Sequence, residues 1–278
     1  MSSVPTYISY RPRGRLGDFV DLLWYLEGYR PAHHKERVLP SARVAMVIDL
    51  REEQVRVWDK GEPGRYRTVR GPAVCGVQDD HFVIDTAQQE TIMGVHFRPG
   101  GAFPFFRAPI GELANQHLGL EDLWGRQAAS ELRERLLAAG SGRARSRLFE
   151  TSLLARLDHI THGCTEDGRA VRYALGALAG PVSVAEVARR MGWSARRLIA
   201  LFRRRVGSTP KRFQRISRFQ QTLSRLEEGS ELDLSALALD CGYYDQAHFN
   251  RDFQAFSGLT PSAYVNAGRA SRNHVVLE

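Results

Sequence analysis

The arginines of this sequence are the residues whose type and spacing could support a binding function. Between Val187 and Leu226 there are 12 basic residues and no acidic one, and all but one of the 12 are arginine. A solvated helix face normally mixes charges of both signs, so this acid-free stretch predicts a surface for a polyanion. The planar guanidinium suits phosphates and the edges of guanine bases. Charge alone does not separate DNA from RNA or from an anionic membrane.

The positive charge is confined to the C-terminal part of the chain. Residues 1–168 contain 22 basic and 22 acidic residues and are therefore neutral. Residues 169–278 contain 17 basic and 9 acidic residues, and their net charge of +8 is that of the whole chain. The C-terminal part is thus the candidate for polyanion binding.

Two stretches of this basic part repeat one pattern at an offset of 50 to 51 residues. In pairs, the repeated residues are Ala188 and Ala238, Gly192 and Gly242, Leu198 and Phe249, Phe202 and Phe253, Gly207 and Gly258, and Pro210 and Pro261. Each stretch predicts a short helix, a turn at its first glycine, and a second helix opened by an N-cap residue, Ser194 or Asp245. This is the pattern of two helix-turn-helix units in tandem.

The region around residues 170–266 resembles the DNA-binding domain of the AraC/XylS family. The resemblance is most specific at Gly242-Tyr-Tyr-Asp-Gln-Ala-His-Phe-Asn-Arg-Asp-Phe253 and Gly258-Leu-Thr-Pro-Ser-Ala-Tyr264. It implies seven helices, with the two units joined by a long helix over about 210–226 and their recognition helices in successive major-groove segments. Residues 24–27, 38–40, 94–101 and 120–124 resemble, more loosely, a sensor-like domain that precedes this module in actinobacterial-type regulators.

The helical period assigns one side of each recognition helix to DNA, because the opposite side carries the apolar stripe. The residues expected to face bases are Arg196, Ile199, Ala200 and Arg203 in the first unit and Gln246, Ala247, His248, Asn250 and Arg251 in the second. Arginine suits guanine, and glutamine or asparagine suits adenine. The apolar side chains of Ile199 and Ala200 suit contact with thymine methyl groups. Because they form no hydrogen bonds, they weaken the case that the first unit reads bases by hydrogen bonding.

A second set of basic residues is expected to contact phosphates and so to set affinity and salt dependence. These residues are Arg204, Arg205, Lys211, Arg212 and Arg215. The alternative for each one is an ordinary solvated charge.

The N-terminal half predicts a β-rich domain followed by helices. Runs of β-forming residues at 43–50, 54–58, 81–84 and 91–97, with turn signals at 60–64, 71–72 and 79–80, predict an antiparallel barrel or sandwich. We expect helices at 16–23, 121–139 and 143–160. The last is a candidate for self-association, and packing against its own barrel is the alternative.

The whole chain is therefore expected in the α+β class. A β-rich N-terminal domain, a cupin-like barrel as the resemblance implies or a sandwich, precedes an all-α domain of two helix-turn-helix units joined by a long helix. The expected boundaries are 1–161 for a sensor or dimerisation domain, 162–168 for a linker, 169–268 for the DNA-binding domain and 269–278 for a C-terminal tail.

The N-terminal domain offers aromatic residues but no recognisable catalytic or metal site. Candidates to line an effector pocket are Trp24, Tyr25, Trp58, His96 and Phe97, and core packing is the alternative for each. Its histidines lack the His-x-His and carboxylate spacing of a barrel metal site, so we expect no metal. Because nucleophile-elbow, phosphate-loop and dinucleotide motifs are also absent from the sequence, we expect no catalytic residues and no cofactor.

Two other function classes stay open. An enzyme that carries a DNA-targeting module would need an activated cysteine beside histidine and glutamate, and none of Cys75, Cys164 and Cys241 lies in such a motif. An adaptor would use the N-terminal domain to bind another protein.

The sequence thus predicts a sequence-specific transcription regulator whose partner is double-stranded DNA. RNA polymerase, a small-molecule effector and a second copy of the chain are further candidate partners. We expect no membrane span and no secretory signal. Three scattered cysteines suit a reducing compartment, so a cytoplasmic location is expected.

Overall fold

The computed structural model describes residues 4–59, 62, 64–106, 108–158, 166–180, 182–228 and 233–277. Within these residues a β-rich N-terminal part with short helices is followed by a helical C-terminal part, so the predicted α+β class is confirmed. Of the predicted linker, 162–165 lie outside the described residues and 166–168 begin a helix. In the predicted turn at 60–64, residues 60, 61 and 63 also lie outside them.

The strands of the described residues form two antiparallel sheets of six strands each. They are β1 (Thr6–Tyr10), β2 (Val20–Glu27), β3 (Lys35–Val38), β4 (Ala45–Asp49), β5 (Gln54–Trp58), β6 (Tyr66–Arg70), β7 (Ala73–Cys75), β8 (Phe82–Asp85), β9 (Thr91–Phe97), β10 (His117–Gly119), β11 (Arg269–Ser271) and β12 (His274–Leu277). The first sheet has the order β1-β2-β9-β4-β7-β10 and the second β11-β12-β3-β8-β5-β6. All four strands predicted from the sequence are confirmed, as β4, β5, β8 and β9.

The helices lie beside the first sheet and throughout the C-terminal part. They are α1 (Gly14–Gly17), α2 (Phe103–Phe106), α3 (Leu120–Trp124), α4 (Arg126–Ala138), α5 (Gly142–Asp158), α6 (Glu166–Leu178), α7 (Val184–Arg190), α8 (Ala195–Arg205), α9 (Pro210–Glu228), α10 (Leu234–Asp240), α11 (Gln246–Ser257) and α12 (Pro261–Asn266). The single helix expected over 121–139 is divided into α3 and α4 at Gly125, whose φ is 85°. The seven helices that the family resemblance implies are present as α6 to α12.

The helix predicted at 16–23 is wrong. Only the one-turn α1 is helical there, and β2 begins at Val20. A short apolar run fits a buried helix as well as a buried strand. Here β2 pairs with β1 on one side and β9 on the other, and this pairing decides between the two.

The main N-terminal core lies between the first sheet and the helices α2 to α5. Leu23 and Tyr25 of β2 belong to this core, together with Phe149 and Leu153 of α5. The Tyr25 hydroxyl accepts a hydrogen bond of 2.7 Å from Arg145 of the same helix. The apolar side of α5 is thus used against its own sheet, which is the alternative that the sequence left open for residues 143–160.

The other side of the first sheet faces the second sheet. Phe82 of β8 contacts His117 of β10 with ring centroids 4.6 Å apart, and Val57 and Val69 pack against Ala73. This inner cluster is much smaller than the core on the helical side. The larger apolar core of the β-rich part therefore lies on the helical side of the first sheet, and a small buried apolar cluster lies between the two sheets.

The last strands of the chain return to the N-terminal part. Strand β12 pairs with β3 through Val275 opposite Arg37 and Val276 opposite Glu36. Val275 is buried in the core of the C-terminal helices, and Gln220 of α9 donates to the carbonyl oxygen of Pro40 at 2.7 Å. The residues expected as a tail thus join the second sheet to the helical part.

Candidate nucleic-acid interface

The first helix-turn-helix unit consists of α7 and α8. Ser183 accepts a hydrogen bond from the backbone N–H of Glu186, and Ser194 accepts one from that of Arg197, so both helices have side-chain N-caps. Gly192 lies in the turn with φ of 66°, a conformation that side chains with a Cβ rarely adopt. Leu198 and Phe202 bury one side of α8, and this leaves its other side free to face a ligand.

The second unit consists of α10 and α11 and repeats this construction. Asp245 accepts a hydrogen bond of 2.6 Å from the backbone N–H of His248 and caps α11. Phe249 and Phe253 bury one side of α11, and Phe253 packs on Phe219 of α9 with ring centroids 5.2 Å apart. Tyr243, which follows the turn glycine, is 3% exposed and plugs the space between the helices. The predicted N-caps and buried stripes of both units are confirmed.

The DNA-facing side predicted for α8 is solvent-accessible at its start and enters a groove at its end. Arg196 is exposed, and Ile199 is half-buried. Ala200 and Arg203 line a groove of about 820 Å³ between the two parts of the chain. Across this groove lies the 3₁₀ turn Ile110–Leu113, where a Cβ on Gly111 would come within 2.8 Å of the carbonyl oxygen of Arg203.

The DNA-facing side predicted for α11 is more open. The exposed residues are Gln246, Ala247, Asn250 and Arg251, and His248 is half-buried. Ser235 of α10 donates a hydrogen bond of 3.0 Å to Oε1 of Gln246. The second unit therefore presents its polar residues together on one accessible surface.

Most residues predicted to contact phosphate have carboxylate partners within the chain. Arg204 bonds Asp167, and Arg205 lies 3.5 Å from the same carboxylate and 3.9 Å above the ring of Phe103. The remaining three are Lys211, which is exposed, Arg212, whose Nε lies 2.8 Å from Oδ1 of Asp79, and Arg215, which pairs with Asp252. Helical spacing placed these side chains on the surface but gave no sign of their partners.

The five candidates for an effector pocket do not line one space. Tyr25 and Phe97 are fully buried in the core beside the helices, and Trp58 packs with Tyr66 and under the ammonium group of Lys35. Trp24 and His96 alone among the five come together facing the second sheet, with ring centroids 6.2 Å apart.

His96 is held in its neutral form. Burial, followed by the positive charges of Arg43 and His274, lowers its pKa to about 4. A neutral imidazole offers one donor and one acceptor to its surroundings. Half-buried Trp24 has an indole N–H that meets no acceptor among the described residues.

Other residues of the inner space were missed by the sequence reasoning. His117 lies 3.4 Å from the Cys75 sulfur and 3.4 Å from a guanidinium nitrogen of Arg67. Alternation along β7 and β10 could have assigned these side chains to one side, but only with the register known. Within the described residues no group of three or more His, Cys, Asp or Glu side chains could hold a metal ion. No described helix is both long enough and apolar enough to cross a membrane.

Comparisons with known proteins cover both parts of the chain. Residues 187–267 match the family described as a helix-turn-helix domain, and residues 8–119 match a domain of unknown function, DUF6597. No curated protein matches the sequence.

Among solved structures, the chain is similar to ToxT from Vibrio cholerae at 11% identity and a TM-score of 0.44, over 94% of this chain and 98% of that one. It is also similar to unsaturated fatty acid-bound wild-type ToxT at 9% identity and a TM-score of 0.43, over 95% of this chain and 96% of that one.

Proposed function

We propose that this chain, whose residues 187–267 match the helix-turn-helix domain family and resemble the AraC/XylS DNA-binding domain, is a transcription regulator that reads DNA sequence with α8 and α11. The observation that carries the proposal is the pair of capped recognition helices, each with a buried stripe on one side and an accessible side opposite. The long helix α9 joins the two units, and the charge of the whole region attracts the phosphate backbone. We assign the chain no catalytic activity.

Base reading by the second unit is tested by the change Arg251→Ala. Because a well-placed arginine makes two hydrogen bonds to guanine, the change should cost about 1–3 kcal/mol of binding on the cognate site. The preference for one base pair should relax at the same time. Binding curves on the cognate site and its single-base variants measure both effects.

Arg196→Ala should give the same result at a different base pair, under the first unit. Arg225→Ala is the matched control, because this arginine is exposed near the end of α9 and belongs to neither recognition helix. An equal loss on every DNA sequence after Arg251→Ala would rule out base reading by that side chain.

The N-terminal part is proposed to sense a small molecule in the space between its two sheets. The support is the pair formed by Trp24 and His96, which presents a free indole N–H and a neutral imidazole beside apolar strands. Pockets for small molecules combine mostly apolar walls with a few polar groups of this kind. The effector class is thus a flat or apolar molecule that carries a hydrogen-bond acceptor.

A thermal-shift screen of the full chain against a metabolite panel tests the sensing proposal. A ligand at about 100 times its Kd should stabilise the protein by about 2.7 kcal/mol. Trp24→Phe, which removes the indole donor, should reduce that shift. Trp58→Phe is the control on a residue outside this pair and should leave the shift intact. A hit that is equally insensitive to both changes would place the ligand elsewhere.

The cellular setting follows from the proposed activity. A regulator of transcription acts where the DNA is, which for the expected class means the cytoplasm. RNA polymerase and a second copy of the chain are proposed as partners of the DNA-bound form. A self-association surface would have to lie outside the apolar side of α5, because Phe149 and Leu153 are already buried against the chain's own sheet.

A further inference from the structure

Asp252 is a buried carboxylate on the second recognition helix. It lies on α11 directly after Arg251, yet it is only 5% exposed. Arg215 of α9 reaches it with two hydrogen bonds, Nη2 to Oδ1 at 2.7 Å and Nε to Oδ2 at 3.2 Å. The guanidinium also lies 5.3 Å from the ring centre of Phe256. The Arg215 side chain is thus fixed both by the ion pair with Asp252 and by the cation–π contact with Phe256.

A two-point contact of this kind fixes orientation as well as distance. A planar guanidinium that bonds both oxygens of a carboxylate allows little rotation of either group. Since α9 is the helix that joins the two units, the pair links α11 to that helix. His248, one turn before Asp252, has its Nε2 3.8 Å from the same carboxylate. The anchor therefore lies directly beneath residues expected to face bases.

The repeat shows what the fold itself needs at this position. At the offset of 51 residues, Leu201 of α8 is the counterpart of Asp252, and it is equally buried at 5%. The first unit thus packs this point with an apolar side chain. Replacing a buried ion pair by apolar residues is often neutral or stabilising, whereas removing one partner alone is costly. The first helix-turn-helix unit therefore folds with an apolar residue at this position.

We propose that Arg215 and Asp252 are positioning residues that orient α11 for sequence reading, and that Arg215 is not a phosphate contact. The inference rests on the proposed function, because it assumes that α11 reads bases. In this proposal the Arg215–Asp252 pair supports the base selectivity of the second unit. The first unit reads its bases independently of the pair.

The experiment compares Asp252→Asn, Arg215→Met and the apolar double variant Arg215→Met/Asp252→Leu with the wild type. The readouts are melting temperature, affinity on single-base variants of the site, and the slope of affinity against salt. For positioning, all three variants should lose about tenfold of base preference under α11, the size of one good base contact. The salt slope and the preferences under α8 should stay as in the wild type. The loss in the double variant should be smaller than the two single losses combined.

Two other results would overturn the proposal. If Arg215 contacts a phosphate, Arg215→Met should weaken binding equally on all sequences and reduce the salt slope by about one, while Asp252→Asn has little effect. If the pair only stabilises the fold, the double variant should recover both the melting temperature and the base preferences. A wild-type protein that binds no DNA site would instead overturn the proposed function, so the two failures are distinct.

Discussion

Replacing Glu36 with glutamine should cost this protein about 3 kcal/mol of stability at neutral pH. Glu36 is 2% exposed and accepts hydrogen bonds from Tyr29 at 2.6 Å, from His33 at 2.8 Å and from His274 at 2.7 Å. A neutral amide cannot accept all three bonds with the strength of a carboxylate. Because His274 lies on β12, the change also weakens the attachment of the last strand to β3.

The stability that Glu36 contributes should depend on pH, because the pKa of its carboxyl group differs between the folded and unfolded states. Burial raises the pKa of Glu36, but the hydrogen bonds from His274, Tyr29 and His33 outweigh burial and lower the pKa from its ordinary value of 4.5 to about 2. The charged carboxylate therefore contributes stability that is fully present above about pH 4.5. This contribution is lost as the pH falls towards 2, because Glu36 then takes up a proton in the folded state.

Chemical unfolding between pH 2 and pH 7 measures the effect. The difference in unfolding free energy between the wild type and Glu36→Gln should be largest near neutrality and should shrink as the pH falls below 4.5. Glu53→Gln is the control, because Glu53 forms an exposed pair with Arg70 and should change little. A difference that stays constant across this pH range would show that the carboxylate charge is not what stabilises the cluster.

The helical half of the chain could be predicted because its signals are local. The turn glycines, the caps at Ser194 and Asp245, and the apolar positions on α8 and α11 each depend on residues a few positions apart. Two copies of the pattern made the assignment specific. The same reasoning located the accessible side of each recognition helix.

The partners of the arginines could not be predicted because they are remote in sequence. Arg212 pairs with Asp79, 133 residues away, and Arg215 pairs with Asp252, 37 residues away. Helical spacing predicts the direction in which a side chain points but not the group from another element that it contacts. In the same way, nothing in the residues of β12 indicates that they pair with β3 at the far end of the chain.

The alternation of side chains along a strand could have separated the aromatic candidates for the effector pocket into two groups. Successive residues of a strand point to opposite sides of the sheet, so Trp24 and Tyr25 cannot line the same space. His96 and Phe97 are separated in the same way. The strand that carries His96 was predicted, but β2, which carries Trp24, was not, and only the pairing of β2 with β9 assigns Trp24 and His96 to the inner side.

Raising the salt concentration from 50 to 200 mM should weaken DNA binding by about 500-fold if about five phosphates are contacted. Between Val187 and Leu226, exposed basic residues such as Arg196, Arg203 and Lys211 lie on or beside α8. Arg204, Arg212 and Arg215 already bond carboxylates, which lowers the number of cations available to DNA and sets this moderate slope.

The change Lys211→Gln should reduce the logarithmic salt slope by about 1, because the lost phosphate contact no longer releases its counterion. Arg225→Gln, the control at the end of α9, should leave the slope unchanged. Base preferences should also survive this change, since phosphates carry no sequence information. Affinity that does not change with salt would exclude the phosphate backbone as the source of binding. If instead the salt slope falls when basic residues of α11 are replaced, the second unit and not the first makes most of the phosphate contacts.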